Sequence, residues 1–231
     1  MKAKMDSDEL IHHLAASIGG FFGAYAILNR HENFGSSATS NLIIIISDLL
    51  GHSFKGAVIR IIALLIYISA IVITTVLSRK TALNVKKASL FLSLCASFLL
   101  FFLPENMNYI VSLYPIFFIT AFQWSAFIGK GNFASSTIFS TNNIRVAVSG
   151  YTNYIISKDT EQLEKARFYT GTLLFFHIGV VYEYVFFRLF GIRSSLAAIL
   201  PVLICYTAMT VCEHKAETKT SAAVLSAVES K

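Results

Sequence analysis

The run Ala57–Ser78, AVIRIIALLIYISAIVITTVLS, holds a single charge, Arg60, and is followed directly by Arg79-Lys80. A helix rises about 1.5 Å per residue, so this run outreaches a hydrocarbon core of roughly 30 Å. It has no sustained period-two alternation and is too long for a strand. It reads as a transmembrane helix. Further apolar runs of similar reach lie at about 11–29, 88–104, 109–129, 168–190 and 195–212. Across its 231 residues the chain is 55% hydrophobic and 14% charged, against about 25% charged for an ordinary soluble domain. The excess of apolar side chains excludes a disordered chain, a disulfide scaffold and a typical cytosolic enzyme.

The net charge of +6 does not indicate nucleic acid, because the basic residues form no stripe interleaved with exposed aromatics. They sit between the apolar runs, as Arg79-Lys80 and Lys86-Lys87 do, where they act as topology determinants and contacts to anionic headgroups. Lipids are therefore the expected partners. The link 79–87 is expected in the cytoplasm and the link Pro104–Asn108, with Glu105 and no basic residue, outside. Six spans then put both termini in the cytoplasm, although Arg188 and Arg193 fall on the outer side. The N-terminus mixes both charge signs and lacks a small-residue cleavage site, so the first run is expected to remain in the mature protein. Cys95, Cys205 and Cys212 lie in or beside apolar runs without C-x-x-C spacing and read as packing residues. No metal or cofactor is implied.

Two apolar pieces, Asn41–Leu50 and Asn143–Ile156, are too short to cross a bilayer. They read as interfacial helices or, preferably, as re-entrant half-helices that dip into the protein after a polar loop. The loops repeat. Asn33-Phe34-Gly35-Ser36-Ser37 recurs as Asn132-Phe133-Ala134-Ser135-Ser136, and Thr39-Ser40-Asn41-Leu42 as Thr141-Asn142-Asn143-Ile144. The expected fold is an all-α integral membrane domain over 1–231, with six transmembrane helices and two short re-entrant half-helices. Repeat 1 covers about 11–104, repeat 2 about 109–212, and a polar tail 213–231. Three full spans per copy make the repeat inverted, whereas fully crossing half-segments would make it parallel.

Gly20-Phe21-Phe22-Gly23-Ala24-Tyr25, leading to Thr39-Ser40-Asn41-Leu42, resembles the first motif of the YoaK-like bacterial membrane proteins, a family with a domain of unknown function. Gln123-Trp124-Ser125-Ala126-Phe127, followed by Ser136 to Arg145, resembles the second. The resemblance covers nearly the whole chain and implies a multi-pass protein of the bacterial inner membrane with no established reaction. Gly23 stands where the family has an acidic residue, and Ser40 and Asn142 stand where it has the glycine of T-G-N.

The candidate binding residues are Thr39, Ser40, Asn41, Gln123, Thr141, Asn142, Asn143, Arg145 and Glu183. Hydroxyls and carboxamides both donate and accept without charge, which suits irregular backbone at membrane depth. They serve either as loop staples or as ligands to a polar solute. Arg145, near a half-helix N-terminus, would favour a carboxylate, a phosphate or a lipid headgroup. Glu183 is the acidic residue deepest in a long run, so it must face the bundle interior, be protonated, or pair with Arg145 or Arg60. His177 reads as a satisfied core histidine, and His12-His13 as neighbours at the membrane entry. No G-x-S-x-G, H-E-x-x-H or Walker glycine loop is present, so no enzyme is expected. These residues point to a transporter or channel for a small polar or anionic solute. The alternative is a non-catalytic membrane partner or lipid-binding component.

Overall fold

The computed structural model describes residues 6–30 and 38–229, which form eight α-helices and no β-strand. In chain order these are α1 (Ser7–Asn29), α2 (Ala38–Ser47), α3 (Phe54–Lys80), α4 (Val85–Phe102), α5 (Tyr114–Ala126), α6 (Thr141–Ser157), α7 (Thr160–Phe190) and α8 (Ile199–Glu229). A π turn, Asp48–His52, extends α2. Tight 3-10 turns at Val111–Leu113 and Gly191–Ala198 precede α5 and α8. Polar caps mark the starts: Ser53 accepts from the Gly56 amide, Asn84 from the amides of Lys86 and Lys87, and Asp159 from that of Glu161.

Four stretches are long and apolar enough to cross a membrane: α1, α3, α4 and Thr160–Ala216. The last includes both α7 and α8, separated at Gly191, whose φ of 55° ends α7. The piece Val111–Ala126 is apolar but shorter. The expected run 109–129 ends early as a helix because the chain turns after Phe127, with Gly129 and Gly131 at positive φ. The expected piece Asn143–Ile156 is a slightly longer helix, α6. Of the first copy of the repeat, Asn33–Ser37 lies outside the described residues.

The outward faces of α3, α4, α7 and α8 expose large apolar residues, among them Leu65, Val72, Phe91, Phe98, Ile178 and Leu203. A water-soluble surface does not carry so broad an apolar coat, whereas a lipid-facing one does. The protein is a helical membrane protein.

Helix α1 is the axis of the bundle and is buried over most of its length. Its main neighbour is α7, and it also packs on α8 and α5. Glycines set the α1–α7 distance: a Cβ at Gly20 would strike the Phe176 carbonyl, and one at Gly179 the Ser17 carbonyl. Small residues that let helix backbones approach are the usual means of association within lipid, where the tails give no hydrophobic drive.

Contacts between helices fix their directions. The start of α1 lies beside Ser78, Asn84 and Glu213, and its end beside Glu183. Helix α3 ends, and α4 begins, at the first of these levels. The Tyr114 hydroxyl donates to the Ile59 carbonyl (2.9 Å) while Gln123 reaches Ala15 (2.8 Å), so α5 runs against α1. Helix α7 runs with α1, from Phe168 at His13 to Glu183 at Asn29. Helix α8 returns, with Cys205 at Ile11.

Gly20→Ala and Gly179→Ala are each expected to destabilise the protein by about 1–3 kcal/mol, the usual cost of overpacking. Leu174→Ala on the exposed face should stay within about 0.5 kcal/mol. Thermal unfolding in detergent measures both.

Candidate functional site

The connection from Phe127 to Ser140 holds the irregular backbone of the second half. Lys130 and Phe133 close a tight turn through reciprocal backbone hydrogen bonds of 2.9 and 2.8 Å. Lys130 is anchored to α1 through Glu9 (3.0 Å) and Asp6 (3.7 Å). The hydrogen bond to Glu9 raises the Lys130 pKa above the ordinary lysine value, against a smaller opposing effect of burial. This anchor therefore contributes at neutral pH and is lost only as the pH rises past the lysine range.

From this turn the chain runs inward beside α1. Ser135 sits at His12, and a Cβ at Gly19 would strike the Thr137 carbonyl. Ser140 and Thr141 reach the level of Gly23, Ala24 and Tyr184. Helix α6 then runs back along α7, with Gly150 against Gln162 and Ala166 and with Thr170 donating to the Tyr151 hydroxyl (3.2 Å). The half-segment is an irregular strand of chain inward, bent at Thr137-Ile138, and a helix outward.

Buried backbone groups need partners, and side chains supply them here. The Asn143 carboxamide accepts from the Ser136 amide (3.1 Å) and donates to the Ser136 carbonyl (2.7 Å). The Ser136 hydroxyl accepts from the amides of Ile138 (3.3 Å) and Phe139 (3.1 Å), and the Tyr169 hydroxyl donates to the Ala134 carbonyl (2.8 Å). Asn143 and Gln123 are thus both engaged with backbone carbonyls. In the first half, Asn41 is buried and accepts from Arg60 (2.8 Å), which also faces Asp48 at 4.0 Å.

Thr39, Ser40, Thr141, Asn142 and Arg145 are exposed on the protein. Helix α2 packs on α3 and helix α6 on α7, so the two half-segments take different neighbours. The tip of the second half opens on a cavity of about 700 Å³, formed by Gly23, Ala24 and Ile27 of α1, Ser140 and Thr141 of the tip, and Tyr184 of α7. Both motif regions meet there. Its polar groups are the two hydroxyls of Ser140 and Thr141 and the phenol of Tyr184.

Glu183 is fully buried, whereas its neighbour Tyr184 is exposed on the cavity side of α7. Its Oε1 accepts from the Ser194 hydroxyl (2.5 Å) and from the Asn29 carboxamide (3.4 Å), while Oε2 has no partner. Of the alternatives the sequence left open, Glu183 faces the bundle interior and does not pair with Arg145 or Arg60. Arg60 is engaged by α2 and the π turn, and Arg145 bonds Asn142 (3.0 Å) on the outer face of α6. Asn29 and Ser194 were silent in the sequence because only the end of α1 and the 3-10 turn before α8 bring them to α7.

A second buried polar group was also missed. His12 and His13 are buried near the start of α1, against α7 and the inward strand. Thr172 donates to the Phe168 carbonyl (3.1 Å), so Ser135 donates to Thr172 (3.0 Å) and His12 Nε2 donates to Ser135 (2.6 Å). Donor counting likewise makes His13 Nε2 the donor to the Phe168 carbonyl (3.1 Å). Both Nδ1 atoms are buried without a partner. The adjacent histidines in an apolar run were the available signal. His177, by contrast, is an exposed residue of α7 bonded to its own Leu173 carbonyl (2.7 Å), not a core histidine.

A family described as "Protein of unknown function (DUF1275)" matches residues 11–211, and the chain belongs to it. No curated protein and no solved structure matches the chain.

Ser194→Ala removes the close donor to a buried carboxylate and is expected to lower stability by about 1–3 kcal/mol. With Glu183 first changed to Gln, the same substitution should cost less. A double-mutant cycle on thermal unfolding reads the coupling, and additivity would show that the contact carries no energy.

Proposed function

We infer that the chain is a six-span inverted repeat that moves a small polar or anionic solute across the bacterial inner membrane, as a transporter or channel and not as an enzyme. One observation carries the reading: the halves exchange partners. Helix α1 packs on α7 and α8, and its counterpart α5 packs on α3 and α4; helix α2 lies on α3, and its counterpart α6 on α7. Corresponding helices run in opposite directions. In that arrangement the segment made of the inward strand and α6 enters and leaves at the face where α1 begins, α2 leads into α3 at the other, and six helices cross between them. Secondary transporters with inverted repeats place their sites at broken helices near the midplane.

The inward strand and α6 make such a break. Its tip, Ser140-Thr141, reaches the last third of α1 and opens on the cavity beside Gly23. The two hydroxyls and the first amides of α6 donate to the solute, and rocking of one half against the other exposes the cavity to either side. Arg145 adds positive charge near this helix start, and Glu183 is the candidate coupling carboxylate, its second oxygen free to take a proton or cation. Arg79, Lys80, Lys86, Lys87, Lys130 and Lys158 gather at the end where α1 begins, which supports a cytoplasmic location for that end and both termini. The second reading, a non-catalytic lipid-binding component, is favoured by the use of Asn143 and Gln123 as staples.

Flux of a broad solute panel into vesicles containing the purified protein tests the first reading. Ser140→Trp should fill the cavity and abolish flux with unchanged thermal stability, and Glu183→Gln should change its pH or cation dependence. Absence of flux for every solute in the wild type would sink the transport reading in favour of the second. Single cysteines placed at Ala82 and Ser157 should label from the cytoplasmic side, and those at His52 and Asn106 from the opposite side. Labelling of His52 and Ala82 from one side would overturn the inverted topology.

A further inference from the structure

The groove between α6 and α7 on their outer face is separate from the cavity at the tip. It encloses about 170 Å³ and is lined by Arg145, Ser149 and Asn153 of α6 and by Gln162 and Lys165 of α7. Gly150 makes it possible: a Cβ there would press on Ala166 and on the Gln162 carbonyl, so its absence lets α6 sit against the α7 backbone. The two cations then share one rim. Arg145 donates to Asn142 (3.0 Å), and among the described residues neither Arg145 nor Lys165 has a carboxylate within salt-bridge distance. Among the described residues, neither Glu161, one turn before Lys165, nor Glu164 forms an ion pair with either cation. Two positive charges and three neutral hydrogen-bonding side chains converge without a counter-anion.

The surroundings identify the source of that anion. Gln162 and Lys165 lie in the first turns of α7, at the end of the bundle where the basic residues collect. Along α6, next to the groove, Ile144, Val148 and Ile155 form an exposed stripe at spacings of four and seven residues. A free phosphate has no use for that stripe, whereas acyl chains do. We propose that this groove binds the phosphate of an anionic phospholipid, with Arg145 and Lys165 taking the charge, Ser149, Asn153 and Gln162 the remaining oxygens, and the α6 stripe the acyl chains. Basic pockets between helices near the cytoplasmic surface are suited to such headgroups.

The test uses the full chain in detergent, titrated with phosphatidylglycerol or phosphatidylcholine and read by native mass spectrometry. Phosphatidylglycerol should be retained in preference to phosphatidylcholine, and Arg145→Gln with Lys165→Gln should weaken its retention at least about tenfold. Arg145→Lys with Lys165→Arg should keep most of it. Equal retention of the two lipids by the wild type, or undiminished retention by the folded Gln variant, overturns the proposal. Displacement of phosphatidylglycerol by millimolar inorganic phosphate would assign the groove to a soluble anion. A dimer cross-linked through Ile155→Cys that excludes the lipid would assign the face to a second copy. Either result also overturns the proposal. If the Gln variant does not fold, the lipid preference and phosphate competition of the wild type decide alone, independently of any transport.

Discussion

The backbone contact between α1 and α7 is the constraint on which the other features rest. Gly20 and Gly179 meet each other's helices carbonyl to Cα, and Gly19 admits the Thr137 carbonyl on another side of α1. In water such closeness would add to burial of apolar surface. In lipid, where an exposed leucine costs nothing, dispersion between closely fitted surfaces is the main attraction left, and it falls off within a fraction of an ångström. Larger residues at these positions would push α7 outward and open the path along which the inward strand lies.

That strand is the costly element. Irregular backbone within lipid persists only where protein groups or water satisfy its amides and carbonyls. Asn143, Ser136 and Tyr169 supply those partners from within the same half, and His12 and Gln123 join the strand and α5 to α1. The arrangement explains why polar residues cluster where apolar ones would pack equally well. Several of them hold the break in place, whereas Ser140 and Thr141 line the cavity beside Gly23.

Much of the architecture was legible in the chain. Long apolar runs have one physical interpretation, and the similar stretches Thr39-Ser40-Asn41 and Thr141-Asn142-Asn143 each fall in the first turn of a helix, α2 or α6. The roles within the loops were not legible. Asn41 and Asn143 occupy equivalent positions, yet one receives an arginine from α3 and the other clamps Ser136, because the neighbouring helices differ. Glu183 was recognisable as a buried carboxylate, but not its partners: Asn29 and Ser194 are far away along the chain and sit at helix ends whose placement depends on the Gly191 turn.

The sequence by itself determined that this is a helical membrane protein and where its long apolar helices lie. Hydrophobicity is additive along a chain and a bilayer has a fixed thickness, so these properties need no knowledge of neighbours. Only the tertiary structure decided which polar groups are spent on holding the backbone and which remain open. A hydrogen bond depends on the distance and angle between two particular atoms, and residues as remote as His12 and Ser135 acquire that relation only when α1, α7 and the inward strand are packed together.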